Sequence, residues 1–307
     1  MKNLLAVVGP TASGKTQLGV MLAQKLGGEI ISADSRQVYL RMDIGTGKDI
    51  GEYGQIPYHM IDIVEPGEEF NIFDYQRLAY QCVEDIRKRD ALPILVGGSG
   101  LYLDSLLGGY RLVPVPQNQE LREQLAKLSM EELNQRLKVA RPVQHNVTDQ
   151  LDQERLIRAI EIAEGEKPLL DRLPPPPSID ALLLGIRWER AVLRQRITLR
   201  LEQRLKEGMI EEVEGLLASG VSAERLLFYG LEYRYICQML HGQIDHKTMF
   251  DKLNQAIHKF AKRQDTWFRR MVKRGADIIW LDGGKGLDSS VLQVVADISF
   301  ATGKKNL

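Results

Sequence analysis

The stretch Leu4-Leu5-Ala6-Val7-Val8-Gly9-Pro10-Thr11-Ala12-Ser13-Gly14-Lys15-Thr16 decides the fold. Its first five residues form a continuous apolar run, the pattern of a parallel strand buried on both faces. The next eight fit G-x-x-x-x-G-K-[ST], and Leu18, Leu22 and Leu26 then recur at helical spacing. Strand, glycine turn and helix in that order are the context a phosphate-binding loop requires. The glycines let backbone N–H groups close around phosphate oxygens at a helix N-terminus, Lys15 supplies a cation, and Thr16 can offer its hydroxyl to Mg²⁺. A glycine turn that merely capped a helix would leave Lys15 and Thr16 without a role.

Working outward, Glu29–Ala33 and Pro93–Val96 are further buried strands, the latter preceded by a helical pattern over Tyr75–Arg89 and ended by Gly97-Gly98. The first hundred residues therefore read as doubly wound α/β. After Gly108-Gly109 the texture changes to charged, helix-forming sequence over Gln119–Leu137 and Gln153–Glu164, ending at the four prolines Pro174–Pro177. Ala181–Ile186 can return to the sheet, helices dominate from Glu189, and a last strand is predicted over Asp277–Leu281. The expected architecture is a P-loop NTPase-like parallel sheet flanked by helices, formed by 1–112 and 181–307, with a helical insertion over 113–180.

At 307 residues, 44% hydrophobic and 27% charged, the chain is long enough for about two domains and too apolar to stay disordered. The 41 basic and 41 acidic residues cancel, so a polyanionic partner must be met by a local patch. Two cysteines, Cys82 and Cys237, are too few for a disulfide framework or a four-cysteine zinc site and predict a reducing compartment. No apolar run approaches the roughly 18 residues that span a bilayer, and a strand starts almost at Met1, so the expectation is a cytoplasmic protein with no signal peptide or membrane segment.

A P-loop identifies a bound phosphate chain without saying which one. A nucleoside triphosphate is the default, but no clear apolar run ends in a magnesium-holding aspartate: Pro93–Val96 runs into glycines and Asp62 follows only a short run. A magnesium-bound diphosphate leaving group satisfies the same loop. Asp34, with Ser35, Arg36 and Gln37, follows the second strand at the carboxyl edge, where open α/β sheets bind ligands. Its carboxylate could take a proton from a nucleophile or hold Mg²⁺; a helix N-cap is an equally weighted reading. Gly97–Tyr102, including Ser99, lies on the same edge. In the predicted helix Arg190–Lys206, Arg196, Arg200 and Arg204 border an apolar stripe of Leu193, Ile197, Leu201 and Leu205. The ordinary reading there is a solvated flank paired with Glu202 and Glu207, and a phosphate role is the minority one. His258–Arg274 is the main basic feature, with Asp265 its only acid. Phe260, Gln264, Trp267 and Met271 fall on one face, and Lys259, Arg263, Arg270 and Lys273 on an adjoining one that could track a nucleic-acid backbone.

With these residues in view, the chain resembles the tRNA dimethylallyltransferases (tRNA isopentenyltransferases). The matching blocks are Gly9–Thr16, Ile30–Tyr39, Met42–Thr46, His59–Ile63, Gly97–Leu103, Arg155–Glu161 and Ala261–Arg269, in the family's order over most of the chain. The resemblance implies that dimethylallyl diphosphate is the donor and N6 of the adenosine 3′-adjacent to the anticodon the acceptor. It implies catalytic roles for Asp34, Thr11 and Arg196. Gly9, Pro10, Thr11, Ala12, Ser13, Gly14, Lys15 and Thr16 would cradle the diphosphate, with Thr16 on Mg²⁺, and Asp34 would accept the N6 proton. By the same resemblance Asp34, Ser35, Arg36, Gln37 and Ser99 receive an extruded adenosine. Glu154, Arg155, Leu156, Ile157 and Arg158 grip the tRNA anticodon arm, and Lys259, Arg263, Arg270 and Lys273 follow its backbone. Separately from the resemblance, a monomer is expected. Three segments depart from the family pattern. Ser99 replaces the commoner threonine and keeps the hydroxyl, Val147–Gln153 lacks the histidine-proline-asparagine-aspartate run although Asp152 keeps the acid, and Tyr229–Arg234 replaces the glycine-tyrosine element. A P-loop kinase of a small metabolite or nucleotide is the alternative, and a non-catalytic nucleic-acid-binding protein the third class.

Overall fold

The computed structural model describes residues 2–141, 152–170 and 175–285. The chain divides into two compact units, Met1–Gly109 with Ser178–Leu307, and Tyr110–Pro177.

The first unit is built on six parallel strands, β1 (Leu4–Val8), β2 (Gly28–Ala33), β3 (Tyr58–His59), β4 (Leu92–Gly97), β5 (Ala181–Arg187) and β6 (Ile278–Asp282), in the spatial order β3-β2-β4-β1-β5-β6. β1 lies in the middle, with Val8 level with Gly97 on one side and Gly185 on the other. Its side chains alternate between two cores, which is why the run is apolar throughout. Leu5 and Val7 pack with Leu18 and Leu22 of α1 (Lys15–Leu26), whereas Leu4, Ala6 and Val8 pack with α2 (Ile72–Lys88), α3 (Gly100–Leu107) and the end of α11 (His246–Lys273). The sheet therefore contains the run at Ala181–Ile186, extended by Arg187. The two-residue β3 carries no periodicity and escapes sequence reading.

Helix limits follow capping. The side chain of Asn71 accepts from the N–H groups of Phe73 and Asp74 in a capping box, which starts α2 three residues before Tyr75. Ser129 and Glu132 form a second capping box. It splits the expected helix over Gln119–Leu137 into α4 (Gln119–Leu125) and α5 (Met130–Ala140).

From α7 (Arg190–Lys206) the chain is helical through α8 (Met209–Ala218), α9 (Ala223–Tyr229), α10 (Leu231–Leu240) and α11. Leu193, Ile197 and Leu201 of α7 share a core with Tyr233, Leu253 and Ile257, and also with Ala12 of the P-loop and Val38, Tyr39 and Met42 after β2. That shared core fixes this helical layer to the loops leaving the central strands.

The second unit packs α4 and α5 against α6 (Gln153–Leu170) around Leu125, Leu133, Leu137, Leu156 and Ile160. Its limits fall at 110 and 177, where the sequence reading set 113 and 180. Inside it the Glu161 carboxylate accepts from Arg122 at 2.9 Å, from Arg158 at 2.6 Å and from the Asn118 N–H. Burial opposes its ionisation, but these donors outweigh burial and hold the carboxyl down at about 2. Pro174 and residues 147–151 of the departing segment lie outside the described residues.

Candidate active site

Between β1 and α1 the backbone takes left-handed conformations at Ala12 (φ 60°) and Gly14 (φ 90°). Gly9 permits this turn to close: a Cβ there would lie 2.7 Å from Ser13 Oγ, a buried hydroxyl with no partner among the described residues. No side chain caps α1, so its N-terminus is presented by backbone alone. Three loop carbonyls are engaged by donors. Pro10 O accepts from Lys15 Nζ at 3.3 Å, Ala12 O from Arg196 Nε at 2.9 Å, and Ser13 O from Trp188 Nε1 at 2.9 Å. The Arg196 guanidinium lies 4.2 Å over the Trp188 ring. Arg196 is thus anchored on the P-loop backbone instead of lying on a solvated flank.

Burial, then the neighbouring Arg200 charge, lowers Lys15 to about 8. Arg200 pairs with Asp49, and Arg204 lies 3.7 Å from the same carboxylate. Burial and Arg200 together pull the Arg204 guanidinium below its ordinary value. Gly47 makes room for it, since a Cβ there would fall 1.6 Å from Arg204 Nη2. The expected pairing of this ladder with Glu202 and Glu207 is therefore corrected: Arg200 and Arg204 turn toward Asp49, and both line the cleft beside the P-loop. Asp49 is a residue the sequence reading missed, because nothing local distinguishes it.

Asp34 leaves β2 and accepts the Arg36 N–H at 2.9 Å. Turns follow it, not a helix, so the N-cap reading gives way to a local turn cap that leaves the carboxylate lining the cleft. Ser99 Oγ accepts the Ser35 N–H at 3.1 Å, which ties the β2 and β4 loops together. Gln37 lines the cleft, and its amide accepts from Ser32 Oγ at 2.7 Å and donates to Gly47 O at 2.9 Å, which ties the end of β2 to the loop beside Arg204. Asp62 pairs with the fully buried Lys48 and does not line the cleft.

Thr11, Lys15, Thr16, Asp34, Ser99 and Arg200 line one cleft. Lys15, Thr16 and Arg200 also line an adjoining cavity that includes Arg196. Glu232, Tyr233 and Arg234 reach the cleft from α10, so the departing segment Tyr229–Arg234 is part of its wall. Burial raises Glu232 above the ordinary carboxyl range.

On α11 the buried face is Ile257, Ala261, Gln264, Phe268 and Met271, which keeps Gln264 and Met271 of the predicted face; Trp267 packs partly buried against the same core, and Phe260 lies at its edge. Buried Gln264 accepts the Thr11 N–H at 2.8 Å and donates to Gly98 O at 3.0 Å. The sequence reading had it only as a member of a packing face. Lys259, Arg263, Arg270 and Lys273 are exposed, and Arg263 alone of the four lines the cleft.

In the second unit Glu154 and Arg155 are exposed, but Leu156 and Ile157 are buried in its core, so their side chains cannot touch RNA. Arg158 is engaged with Glu161, and Asp152 caps α6 by accepting the Arg155 N–H at 3.0 Å.

Among the described residues no group of three His, Cys, Asp or Glu side chains forms a metal cage, and no helix is long and apolar enough to cross a membrane. Residues 37–271 match the IPP transferase family and residues 2–53 the isopentenyl transferase family. The chain is 59% identical over 281 residues to tRNA dimethylallyltransferase 2 of Syntrophotalea carbinolica, covering 92% of this chain and 94% of that one. It is 49% identical to tRNA dimethylallyltransferase 2 of Shewanella sediminis over 96% of this chain and 98% of the relative. The crystal structure of the tRNA isopentenylpyrophosphate transferase of Bacillus halodurans aligns with TM-score 0.71 at 32% identity, over 96% of this chain and 94% of that one. A eukaryotic dimethylallyltransferase crystallised acting on tRNA shares the fold, with TM-score 0.79 at 22% identity over 96% of this chain and 78% of that one.

Proposed function

This chain belongs to the IPP transferase family, the family of the tRNA dimethylallyltransferases, and from that premise we propose that it transfers a dimethylallyl group from dimethylallyl diphosphate to N6 of the adenosine 3′-adjacent to the anticodon of tRNA, releasing diphosphate. The observation that carries the reading is the meeting of the P-loop residues Lys15 and Thr16 with Arg200 and Asp34 in one cleft.

The α1 N-terminus, Lys15 and Arg200 would hold the diphosphate, with Thr11 on its oxygens and Arg196 flanking it from the adjoining cavity. Negative charge grows on the leaving oxygen as the allylic C–O bond breaks, so these preorganised donors act most strongly in the transition state. Asp34 would take the N6 proton as the amine attacks. The Thr16 hydroxyl and the Asp34 carboxylate border the same cleft and would suit an Mg²⁺ that arrives with diphosphate oxygens and keeps several waters. When bound, Mg²⁺ would neutralise the charge of the diphosphate. Ser35, Arg36 and Ser99 border the space an extruded adenine would need. For backbone contacts we propose exposed Lys259, Arg263, Arg270 and Lys273, and separately Glu154 and Arg155 of the second unit. Two free thiols suit the cytoplasm, and the enzyme is proposed to act as a monomer.

The test is incubation with labelled dimethylallyl diphosphate, Mg²⁺ and unmodified tRNA, beside a parallel reaction with ATP. Label in tRNA adenosine without ATP turnover supports the reading. ATP-dependent phosphorylation of a small molecule without label in tRNA would overturn it.

A further inference from the structure

Phe228 lines the cleft and is 74% exposed, the second most exposed large apolar side chain among the described residues. Its exposure follows from the helix: Leu226 and Tyr229 of α9 are buried, and residue 228 cannot share their face. The backbone around it is pinned on both sides. Arg234 donates to the Leu227 carbonyl at 3.1 and 3.3 Å, and the Tyr229 ring packs on Tyr39 with centroids 4.6 Å apart. Phe228 also borders a neighbouring groove lined by Arg36 and Arg225 and by Glu68, Glu69 and Glu224. Neither arginine has a carboxylate within ion-pair distance among the described residues.

We infer that Phe228 is a stacking platform for an unpaired nucleobase of the tRNA loop, one that flanks the adenosine entering the cleft. An exposed aromatic ring that lines the cleft together with Arg36 and Arg263 matches the face of a base and its phosphates. The isoprenoid chain of the donor is the poorer occupant, because an apolar chain gains by full removal from water and this ring is largely in water. A platform held rigid before binding loses little freedom when the base arrives. The inference rests on the tRNA reading above but concerns a different contact from the chemistry.

The experiment compares the parent with Phe228→Ala and Phe228→Trp, measuring KM for tRNA and for dimethylallyl diphosphate separately. It also measures quenching of 2-aminopurine placed on either side of the target adenosine in an anticodon stem-loop. Phe228→Ala should raise KM for tRNA about 5- to 150-fold, the loss of one base–aromatic stack, with donor KM and saturated kcat nearly unchanged. Phe228→Trp should retain affinity and deepen the quenching. An unchanged tRNA KM in the alanine variant, or a rise confined to the donor, overturns the inference. Ring-dependent quenching in a protein that transfers no prenyl group would sustain it while overturning the proposed reaction.

Discussion

Gln264 and Thr11 are 253 positions apart in the chain and joined by one hydrogen bond, the Thr11 N–H donating to Oε1 of Gln264 at 2.8 Å. The other end of the same amide donates to Gly98 O at 3.0 Å, so one buried side chain sets the spacing between the P-loop and the loop after β4. Both ends have protein partners, and this satisfaction is what makes a buried amide tolerable.

Replacing Gln264 with Leu keeps most of the volume and orphans a donor and an acceptor. The expected cost is about 1–3 kcal/mol per orphaned group at most, read as a lower urea midpoint. Prenyl transfer should fall further than stability does, because the P-loop loses its fixed distance from Ser99. Unchanged kcat in a destabilised protein would reduce Gln264 to a packing role.

Asp34→Asn keeps the acceptor for the Arg36 N–H through its amide oxygen but removes the base. Turnover should drop by about 10²–10⁴-fold, the usual worth of a positioned general base, with circular dichroism unchanged. Activity within about threefold of the parent would return Asp34 to turn capping alone.

Lys15, lowered to about 8 by burial and by Arg200, is only partly charged above that pH. Bound diphosphate favours the charged form, so binding at pH 8–9 should take up a proton and affinity should decline as pH rises through about 8. Calorimetry in two buffers of different ionisation enthalpy reads the uptake directly. Lys15→Met should abolish both the uptake and this part of the pH dependence.

Glu161 ionises at about 2 in the fold against 4.5 for an ordinary glutamate. A depressed carboxyl stabilises fully above the ordinary value and loses that stabilisation as pH falls toward 2; the shift corresponds to about 3 kcal/mol in all. Acid titration of the helix signal should therefore show a transition in the parent between pH 4.5 and 2 that Glu161→Gln lacks, the variant being already weakened at pH 7. Identical profiles would mean that Arg122 and Arg158 contribute nothing net.

Arg263 and Arg270 are exposed on α11. If each neutralises a phosphate, replacing both with Gln should reduce the salt slope of tRNA affinity by roughly 0.7–0.9 per contact, equally for all tRNAs. Parallel lines for variant and parent would leave the stripe a solvated helix flank.

Five of the six strands and the P-loop were legible in the chain alone, because they depend on short-range signals; the two-residue β3 was not. Apolar runs of strand length require cover on both faces, and Gly9–Thr16 carries its chemistry in its own spacing. The limits of α7 were legible too, since apolar residues at 193, 197 and 201 define a stripe. Only the tertiary structure decided what meets the edge of that stripe. Arg200 and Arg204 turn to Asp49, Gln264 reaches Thr11, and Leu156 and Ile157 leave the list of RNA contacts for the core of the second unit. Periodicity tells which face of a helix is buried, but a hydrogen bond between residues 253 positions apart has no local signature. It exists only once packing has brought α11 against the P-loop.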